Sequence, residues 1–235
     1  MLGRRMCGRF TLTSTPEALA ERFGLAEPPH CAPRYNVAPG QDVLAIRAGS
    51  DGARRAEPLR WGLVPPWSDS PAVGARGINA RAETAAHKPA FRDAYRARRC
   101  IVPACGFYEW ADRGDLRQPY WIGRVDGSPL GIAGLWERWR APGGAALESC
   151  ALITTAANAR IALLHSRMPA ILAPGAYAAW LDPACDVAEL AALLHPPPPD
   201  ALDYYPVATR VNRVEIDDPT CLEPVPEPPR QPSLF

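Results

Sequence analysis

A cysteine directly follows the second methionine of the chain, in the stretch MLGRRMCGRF. If translation starts at Met6, removal of that methionine leaves Cys7 as the first residue, with a free α-amine beside its thiol. An α-amine has a pKa of about 7.7–8.0, so part of it is uncharged and nucleophilic near neutral pH. Such a 1,2-aminothiol reacts with an aldehyde to give an imine and then a thiazolidine ring. If Met1 is retained, Cys7 is an internal thiol, which is most often a small buried hydrophobic residue.

Two further side chains could transfer protons in such a reaction. Glu109 lies in GFYEW, where strand alternation points it away from its aromatic neighbours. A carboxylate in apolar surroundings can have a raised pKa and act as a general acid or base; a salt bridge at the rim is the alternative. His165 follows an apolar run in LLHSRMP. Histidine transfers protons near neutral pH, although a structural histidine would fit the same pattern.

A third candidate group lies in the stretch GINARAET. Asn79 and Arg81 are two residues apart, so in an extended segment both side chains point to the same face. They could therefore reach into one site. The alternative is an asparagine that caps a turn and an arginine that is solvated.

The elements that position these residues are typical of an α+β fold. The pattern predicts many strands, few helices and no alternation of strands with helices, which indicates a curled, mostly antiparallel, barrel-like sheet with peripheral helices. The predicted strands include residues 7–12, 41–49, 54–63, 100–110 and 204–212, while residues 34–40 are predicted as a loop. Helices are predicted over residues 14–24, 87–99, 175–182 and 187–195.

Size and composition limit the function classes. The 235 residues suit one domain of about 200 residues, which we place at residues 6–216. The net charge of +1 argues mildly against nonspecific nucleic-acid binding, but a local basic groove is compatible with it. The 7 scattered cysteines, the absence of a secretory signal and the lack of a long apolar run indicate a cytoplasmic protein with reduced thiols and no membrane span. No metal or other cofactor is expected.

The last residues, 217–235, are predicted as a flexible, proline-rich tail that ends in RQPSLF. This ending is similar to the pentapeptide that bacterial proteins insert into the replication sliding clamp. In that interpretation Gln231, Leu234 and Phe235 contact the clamp, and the two apolar residues fill a pocket. An apolar C-terminus without a partner is the alternative.

Six stretches carry a specific resemblance to a known family. They are MCGRF, YNVAP, WGLVPPW, INARAET, RCIVPACGFYEW and HSRMP. In this order they resemble the SRAP family (SOS response-associated peptidase), the abasic site processing proteins. The resemblance runs from Met6 to about Asn212 and so covers nearly the whole chain.

The resemblance implies a protein that recognises single-stranded DNA with an abasic site and forms a thiazolidine crosslink through its N-terminal cysteine. Carried over motif by motif, Cys7 is the nucleophile, Asn79 binds the linked sugar or amine, and Glu109 and His165 transfer protons. The resemblance also implies association with the nucleoid, strand cleavage resembling that of an AP lyase, and self-removal of the leading methionine. The residues it places against the DNA are Arg9, Arg81, Asn36, Trp67, Thr155 and Arg167.

One departure affects this interpretation, because the family's cysteine follows the initiator methionine and here five residues precede Met6. We expect Met6 to be the true initiator; the alternative is that residues 1–6 are cut off after synthesis. We also expect the protein to be a monomer. Two other functions remain open: a cysteine peptidase or amidase that uses Cys7 and His165, and a noncovalent single-stranded nucleic-acid binder. The first alternative does not need the free α-amine, and the second predicts salt-sensitive binding without a covalent adduct.

Overall fold

The computed structural model describes residues 8–113, 116–141 and 143–227. Within these ranges it contains 13 strands and 5 short α-helices. The strands are β1 (Phe10–Leu12), β2 (Arg34–Val37), β3 (Asp42–Ala48), β4 (Arg54–Trp61), β5 (Asn79–Arg81), β6 (Arg99–Ala104), β7 (Gly106–Arg113), β8 (Leu116–Arg124), β9 (Leu130–Arg140), β10 (Ala146–Ala156), β11 (Arg167–Pro169), β12 (Ile171–Leu172) and β13 (Leu202–Pro206). The helices are α1 (Pro16–Phe23), α2 (Ala82–Ala85), α3 (Arg92–Ala97), α4 (Tyr177–Leu181) and α5 (Val187–Ala192).

Five strands close into a small barrel in the order β10-β4-β3-β6-β9, because β9 also pairs with β10. The pairs are antiparallel except where β10 runs parallel to β4 and to β5. The barrel and the short helices confirm the predicted α+β fold with a curled, mostly antiparallel core. Closure leaves fewer unpaired strand edges than an open sheet would have.

A second, antiparallel sheet of five strands in the order β13-β8-β7-β1-β2 packs beside the barrel. Buried side chains from both sheets form what we call the central apolar cluster, which includes Phe10, Phe107, Ala111, Leu152, Leu164 and Met168. The helices cover a second cluster on another face of the barrel strands, which includes Phe23, Tyr95, Ile153 and Trp180. Among the described residues, no helix is long and apolar enough to cross a membrane.

The local signals of α1 are confirmed in detail. Thr15 caps the helix by accepting a hydrogen bond from the Ala18 N–H at 3.3 Å, and Pro16 occupies the first turn. Gly24 ends the helix with φ of +65°, a backbone conformation that favours glycine. The predicted strands at residues 41–49 and 54–63 correspond to β3 and β4.

Four expectations about the elements were wrong. The strand predicted at residues 204–212 ends at Pro206 in β13, and Thr209–Asn212 is a 3₁₀ helix. The loop predicted at residues 34–40 contains β2, which pairs with β1. The single strand predicted at residues 100–110 is two strands, β6 in the barrel and β7 in the second sheet. The helix predicted at residues 87–99 is limited to α3.

The domain continues beyond the expected boundary at residue 216. Asp217 accepts hydrogen bonds from the backbone N–H groups of Tyr35 and Asn36, at 2.5 and 2.8 Å. Cys221 is fully buried in the 3₁₀ helix Pro219–Leu222. Residues 217–227 therefore pack against the second sheet, and residues 228–235 lie outside the described part of the chain.

Candidate active site

Glu109 is a buried carboxylate on β7. It is only 2% exposed, and strand alternation places it on the same face as Phe107 and Ala111, which belong to the central apolar cluster. Its neighbours Tyr108 and Trp110 belong instead to a small cluster on the opposite face. The predicted orientation of Glu109, away from its aromatic neighbours, is confirmed.

Asn79 reaches the same cluster from the other sheet. It begins β5, which runs parallel to β10 with Asn79 beside Leu152 and Arg81 beside Thr154. Paired residues of neighbouring strands point to the same face, and Leu152 belongs to the central apolar cluster. Asn79 and Glu109 therefore face one cluster from two different sheets.

His165 lies where the chain turns into β11, next to the same cluster. Ile161, Leu164 and Met168 on either side of it are buried in the cluster. The half-buried imidazole has Nδ1 3.1 Å from both the backbone N and the backbone O of Arg167. Three of the predicted catalytic residues thus surround one apolar region.

Cys7 lies outside the described residues, but the described chain begins at its neighbour Gly8. Phe10 pairs with Phe107, and the Tyr108 N–H donates to the Arg9 carbonyl at 3.0 Å. Continuing this antiparallel register from Arg9 to Gly8 places Gly8 opposite Glu109. The role of Cys7 stays a prediction.

Arg9 and Asn36 are bound to other parts of the protein. Arg9 Nη1 donates to Asn36 Oδ1 at 2.9 Å and to the Val211 carbonyl at 2.5 Å. Burial lowers the pKa of this half-buried guanidinium. Asn36 is fully buried, and its amide donates to the carbonyls of Val211, Arg213 and Ile216. These contacts favour a structural role for Asn36, and its predicted contact with DNA is untested.

The other residues predicted to contact DNA differ in accessibility. Arg81 is exposed at the end of β5, and Trp67 is 63% exposed in the loop after β4. Thr155 is 7% exposed on β10, and the Arg167 side chain is 16% exposed. Arg81 and Trp67 are therefore available for contact, whereas Thr155 and Arg167 present little surface.

Sequence reasoning missed two residues that contact this site. Glu83 forms an ion pair with Arg167, and the bond from Arg167 lowers the pKa of the Glu83 carboxyl. Thr154 is fully buried and accepts hydrogen bonds from Arg167 through its carbonyl and its hydroxyl. The position of Glu83 in the INARAET stretch, two residues after Arg81, was the available signal. Gln231, Leu234 and Phe235 lie outside the described residues, so the clamp contact stays a prediction.

The chain is similar to known proteins over nearly its whole length. The model of the family SOS response associated peptidase (SRAP) matches residues 6–214. The abasic site processing protein YoqW of Bacillus subtilis is 39% identical over 224 residues, which cover 93% of this chain and 99% of that protein. The abasic site processing protein YedK of Escherichia coli is 33% identical over 236 residues, covering 94% of this chain and 100% of that protein. A solved structure from Bacteroides thetaiotaomicron has a TM-score of 0.84 at 27% identity, covering 93% of this chain and 100% of that one.

Proposed function

Because the chain belongs to the SRAP family, we propose that it recognises abasic sites in single-stranded DNA and forms a covalent thiazolidine crosslink through Cys7. The names of its relatives YoqW and YedK, abasic site processing proteins, support the substrate class. The crosslink would shield the lesion during replication. The proposal requires a mature chain that begins at Cys7.

One observation carries the proposal. Asn79 and Glu109 face the central apolar cluster from two different sheets, and the register of β1 with β7 brings the chain into the fold opposite Glu109. Cys7 is bonded directly to Gly8, and consecutive Cα atoms are about 3.8 Å apart across a trans peptide. A nucleophile at that position would have a buried carboxylate within reach.

The proposed reaction has two bond-forming steps. The α-amine of Cys7 adds to the aldehyde carbon of the ring-opened sugar, and loss of one water gives an imine. The thiol then adds across the C=N bond, with sulfur bonding to carbon and the proton passing to nitrogen. The product is protein plus DNA minus one water molecule. Reversal by the same steps releases both partners.

Glu109 and His165 would transfer the protons in these steps. An abasic sugar is mostly closed, so ring opening by an acid and a base would raise the amount of reactive aldehyde. A general acid or base of this kind typically contributes about 10²–10⁴-fold to a rate. Asn79 would hold the sugar hydroxyl or the amine through its amide. The apolar cluster would limit the access of water to the imine.

DNA binding would use exposed residues near these groups. Arg81 would contact a phosphate beside the lesion, and Trp67 would stack on a neighbouring base, which is worth about 1–3 kcal/mol per base. Arg9, with its hydrogen bonds to protein, would contribute charge close to Gly8. Thr155 and Arg167 would need a small rearrangement to touch the strand directly.

Two side activities belong to the same proposal. An imine acidifies the neighbouring carbon of the sugar, so removal of a proton there would expel the 3′ phosphate and cleave the strand, as in an AP lyase. Removal of Met6 by the protein's own site would account for the peptidase label of the family. Strand cleavage and removal of Met6 would both use Cys7 and the proton-transfer groups Glu109 and His165.

The direct test uses protein started at Met6 and a single-stranded oligonucleotide treated with uracil glycosylase. We expect a shifted band that survives a denaturing gel and forms in proportion to the abasic sites. Cys7→Ala should abolish the band. Cys7→Ser should also abolish it, because an oxygen analogue forms the five-membered ring less readily and leaves a reversible imine.

The controls separate the proposal from its alternatives. A variant that retains one residue before Cys7 blocks the amine, and we expect it to lose the adduct. A peptidase mechanism would be unaffected by the abasic site, and a noncovalent binder would give a complex that dissociates on denaturation. A normal adduct with the blocked amine would contradict the thiazolidine.

The proposal includes a replication partner, which binds the last residues of the chain. Leu234 and Phe235 would bind the apolar pocket of the bacterial sliding clamp, with Gln231 at its edge. Fluorescence anisotropy with a labelled peptide ending in RQPSLF tests this, and a Leu234→Ala, Phe235→Ala peptide is the control. Equal affinities of the two peptides for purified clamp would contradict the contact.

A further inference from the structure

Glu83, Thr154 and Arg167, which we call the Glu83 cluster, join three elements beside the candidate active site. Glu83 lies on α2, and its two carboxylate oxygens accept separately from the two terminal nitrogens of Arg167, with Nη2 3.0 Å from Oε2. This is the two-pronged geometry in which an arginine and a carboxylate bind most specifically. The Glu83 side chain is 51% exposed and that of Arg167 only 16%.

Arg167 is held on its other side by β10. Its Nη2 donates to the Thr154 carbonyl at 2.5 Å and lies 3.2 Å from the Thr154 hydroxyl oxygen. Thr154 is fully buried, so this attachment is to a rigid part of the barrel. The guanidinium therefore connects α2 to β10, and both of its terminal nitrogens donate to groups of the protein.

The backbone of the same residue holds the imidazole of His165. Nδ1 lies 3.1 Å from both the backbone N and the backbone O of Arg167. In one tautomer it accepts from the N–H, and in the other it donates to the carbonyl. The orientation of the His165 ring thus depends on where Arg167 is placed.

Arg81 also acts on Glu83. Both arginines stabilise the ionised carboxyl of Glu83, Arg167 by its hydrogen bond and Arg81 by its charge, and both lower its pKa. Arg81 ends β5, and α2 starts at the next residue. Asn79, on the same strand, faces the central apolar cluster. The carboxylate therefore lies between the strand that carries Asn79 and the turn that carries His165.

We propose that Glu83 is a positioning residue: by holding Arg167 against β10, it fixes His165 relative to Asn79 and Arg81. The roles of His165, Asn79 and Arg81 in the reaction rest on the proposed function. The placement of His165 by Glu83 is independent of it.

The first test is the NMR spectrum of the histidine rings in the free protein. Glu83→Gln keeps the size of the side chain and removes the charge that binds Arg167. We expect the ring signals of His165, identified by their loss in His165→Asn, to shift in Glu83→Gln. The signals of His30, His87 and His195 should stay in place. Unchanged His165 signals would overturn the inference whether or not the protein forms a crosslink.

The second test is the single-turnover rate of crosslinking at saturating abasic DNA. Small misplacements of catalytic groups can cost up to about 10²-fold in rate, and we expect Glu83→Gln to lower the rate roughly 10-fold. Glu83→Gln combined with Arg167→Gln should lower the rate no further than the slower single variant, because both act through one contact. Additive losses would overturn the shared role.

A matched control is available on the hairpin of β3 and β4. Asp51, in the turn of this hairpin, and Arg55, on β4, form another two-pronged pair, with both side chains about half exposed. Asp51→Asn should leave the His165 signals and the crosslinking rate unchanged. A wild-type protein without any crosslink would refute the proposed function, whereas a crosslinking wild type with an equally fast Glu83→Gln would refute only the positioning role.

Discussion

Glu109 is an ionisable side chain that is buried beside apolar residues. Its side chain is only 2% exposed, and the buried apolar residues Phe107 and Ala111 flank it on the same face of β7. A carboxylate close to the reacting groups can act as a general acid or base. The proposed reaction needs such a group near Cys7, and the register that brings Gly8 opposite Glu109 makes this carboxylate the candidate.

The first prediction is that Glu109→Gln lowers the crosslinking rate by about 10²-fold or more while the protein remains folded. The amide has the shape of the carboxyl group but cannot exchange the proton. Single-turnover kinetics with abasic single-stranded DNA measures the loss. Glu137→Gln is the matched control, because Glu137 is 4% exposed and pairs with Arg98 on the barrel. Equal losses in both variants would contradict a catalytic role for Glu109.

Residue-level reasoning from the sequence succeeded where the geometry is local. Strand alternation alone predicts which face Glu109 occupies, and the two-residue spacing predicts that Asn79 and Arg81 share a face. It does not reveal the buried position of Asn36, whose amide donates to carbonyls 175 to 180 residues away along the chain. Such partners follow from the folded topology and leave no mark in the neighbouring residues.

Close contacts between backbones hold β5 in place at the scale of the elements. The Leu63 N–H donates to the Gly77 carbonyl at 3.0 Å, and a Cβ added at Gly77 would lie 2.3 Å from the Leu63 carbonyl oxygen. Gly62 and Gly74 approach one another in the same way. Glycine at residue 77 therefore lets the segment before Asn79 lie against the end of β4.

The second prediction is that Gly77→Ala destabilises the protein by about 1–3 kcal/mol and slows crosslinking by displacing Asn79. Thermal or urea unfolding and single-turnover kinetics measure the two effects. Gly175→Ala is the control, because a Cβ there meets no atom within 4 Å and needs no unusual backbone angle. A fully stable Gly77→Ala variant would show that the close contact is unimportant.

Asp217 fastens the end of the domain to β2. Burial raises the pKa of its carboxyl, but hydrogen bonds from Arg34 and from the N–H groups of Tyr35 and Asn36 outweigh burial. The folded pKa consequently lies below the ordinary value of 3.8. A depressed carboxyl pKa stabilises the fold above the unfolded pKa, and this contribution is lost as the pH falls through the folded pKa.

The third prediction is that Asp217→Asn lowers stability at pH 7 by about 1–3 kcal/mol. The difference from wild type should narrow as the pH falls below 3.8, because the wild-type carboxyl then becomes protonated. Urea unfolding at neutral and acidic pH measures the change. A pH-independent difference would mean that the charge of Asp217 is unimportant. The loop predicted at residues 34–40 contains β2 because the groups that hold β2, β1 and Asp217, lie elsewhere in the chain.

The whole molecule joins a closed barrel to a second sheet through one central apolar cluster. The proposed site needs both parts, since Asn79 comes from a strand paired with the barrel and Glu109 from the second sheet. The predicted fold class was correct because strand patterns and short helices are visible in the sequence. The closure of the barrel was less visible, because it depends on β9 and β10 pairing along most of their length.

The fourth prediction concerns the electrostatics of the whole surface, whose net charge is only +1. Noncovalent binding to single-stranded DNA should weaken as the salt concentration rises. The steepness of this loss should reflect the few phosphates that the protein contacts. Arg81→Ala should reduce the slope of log K against log salt by about 0.7, the value for one phosphate contact. Fluorescence anisotropy over a range of salt measures it. The exposed Arg92 on α3 supplies the control, and an equal change in Arg92→Ala would contradict a local groove.

Intact mass spectrometry of the reaction between natively produced protein and an abasic oligonucleotide tests the central claim most directly. We predict a free protein whose mass begins at Cys7 and an adduct equal to protein plus oligonucleotide minus one water. A protein that retains Met6 or any earlier residue and still forms this adduct would contradict the account, as would a Cys7 chain that forms none.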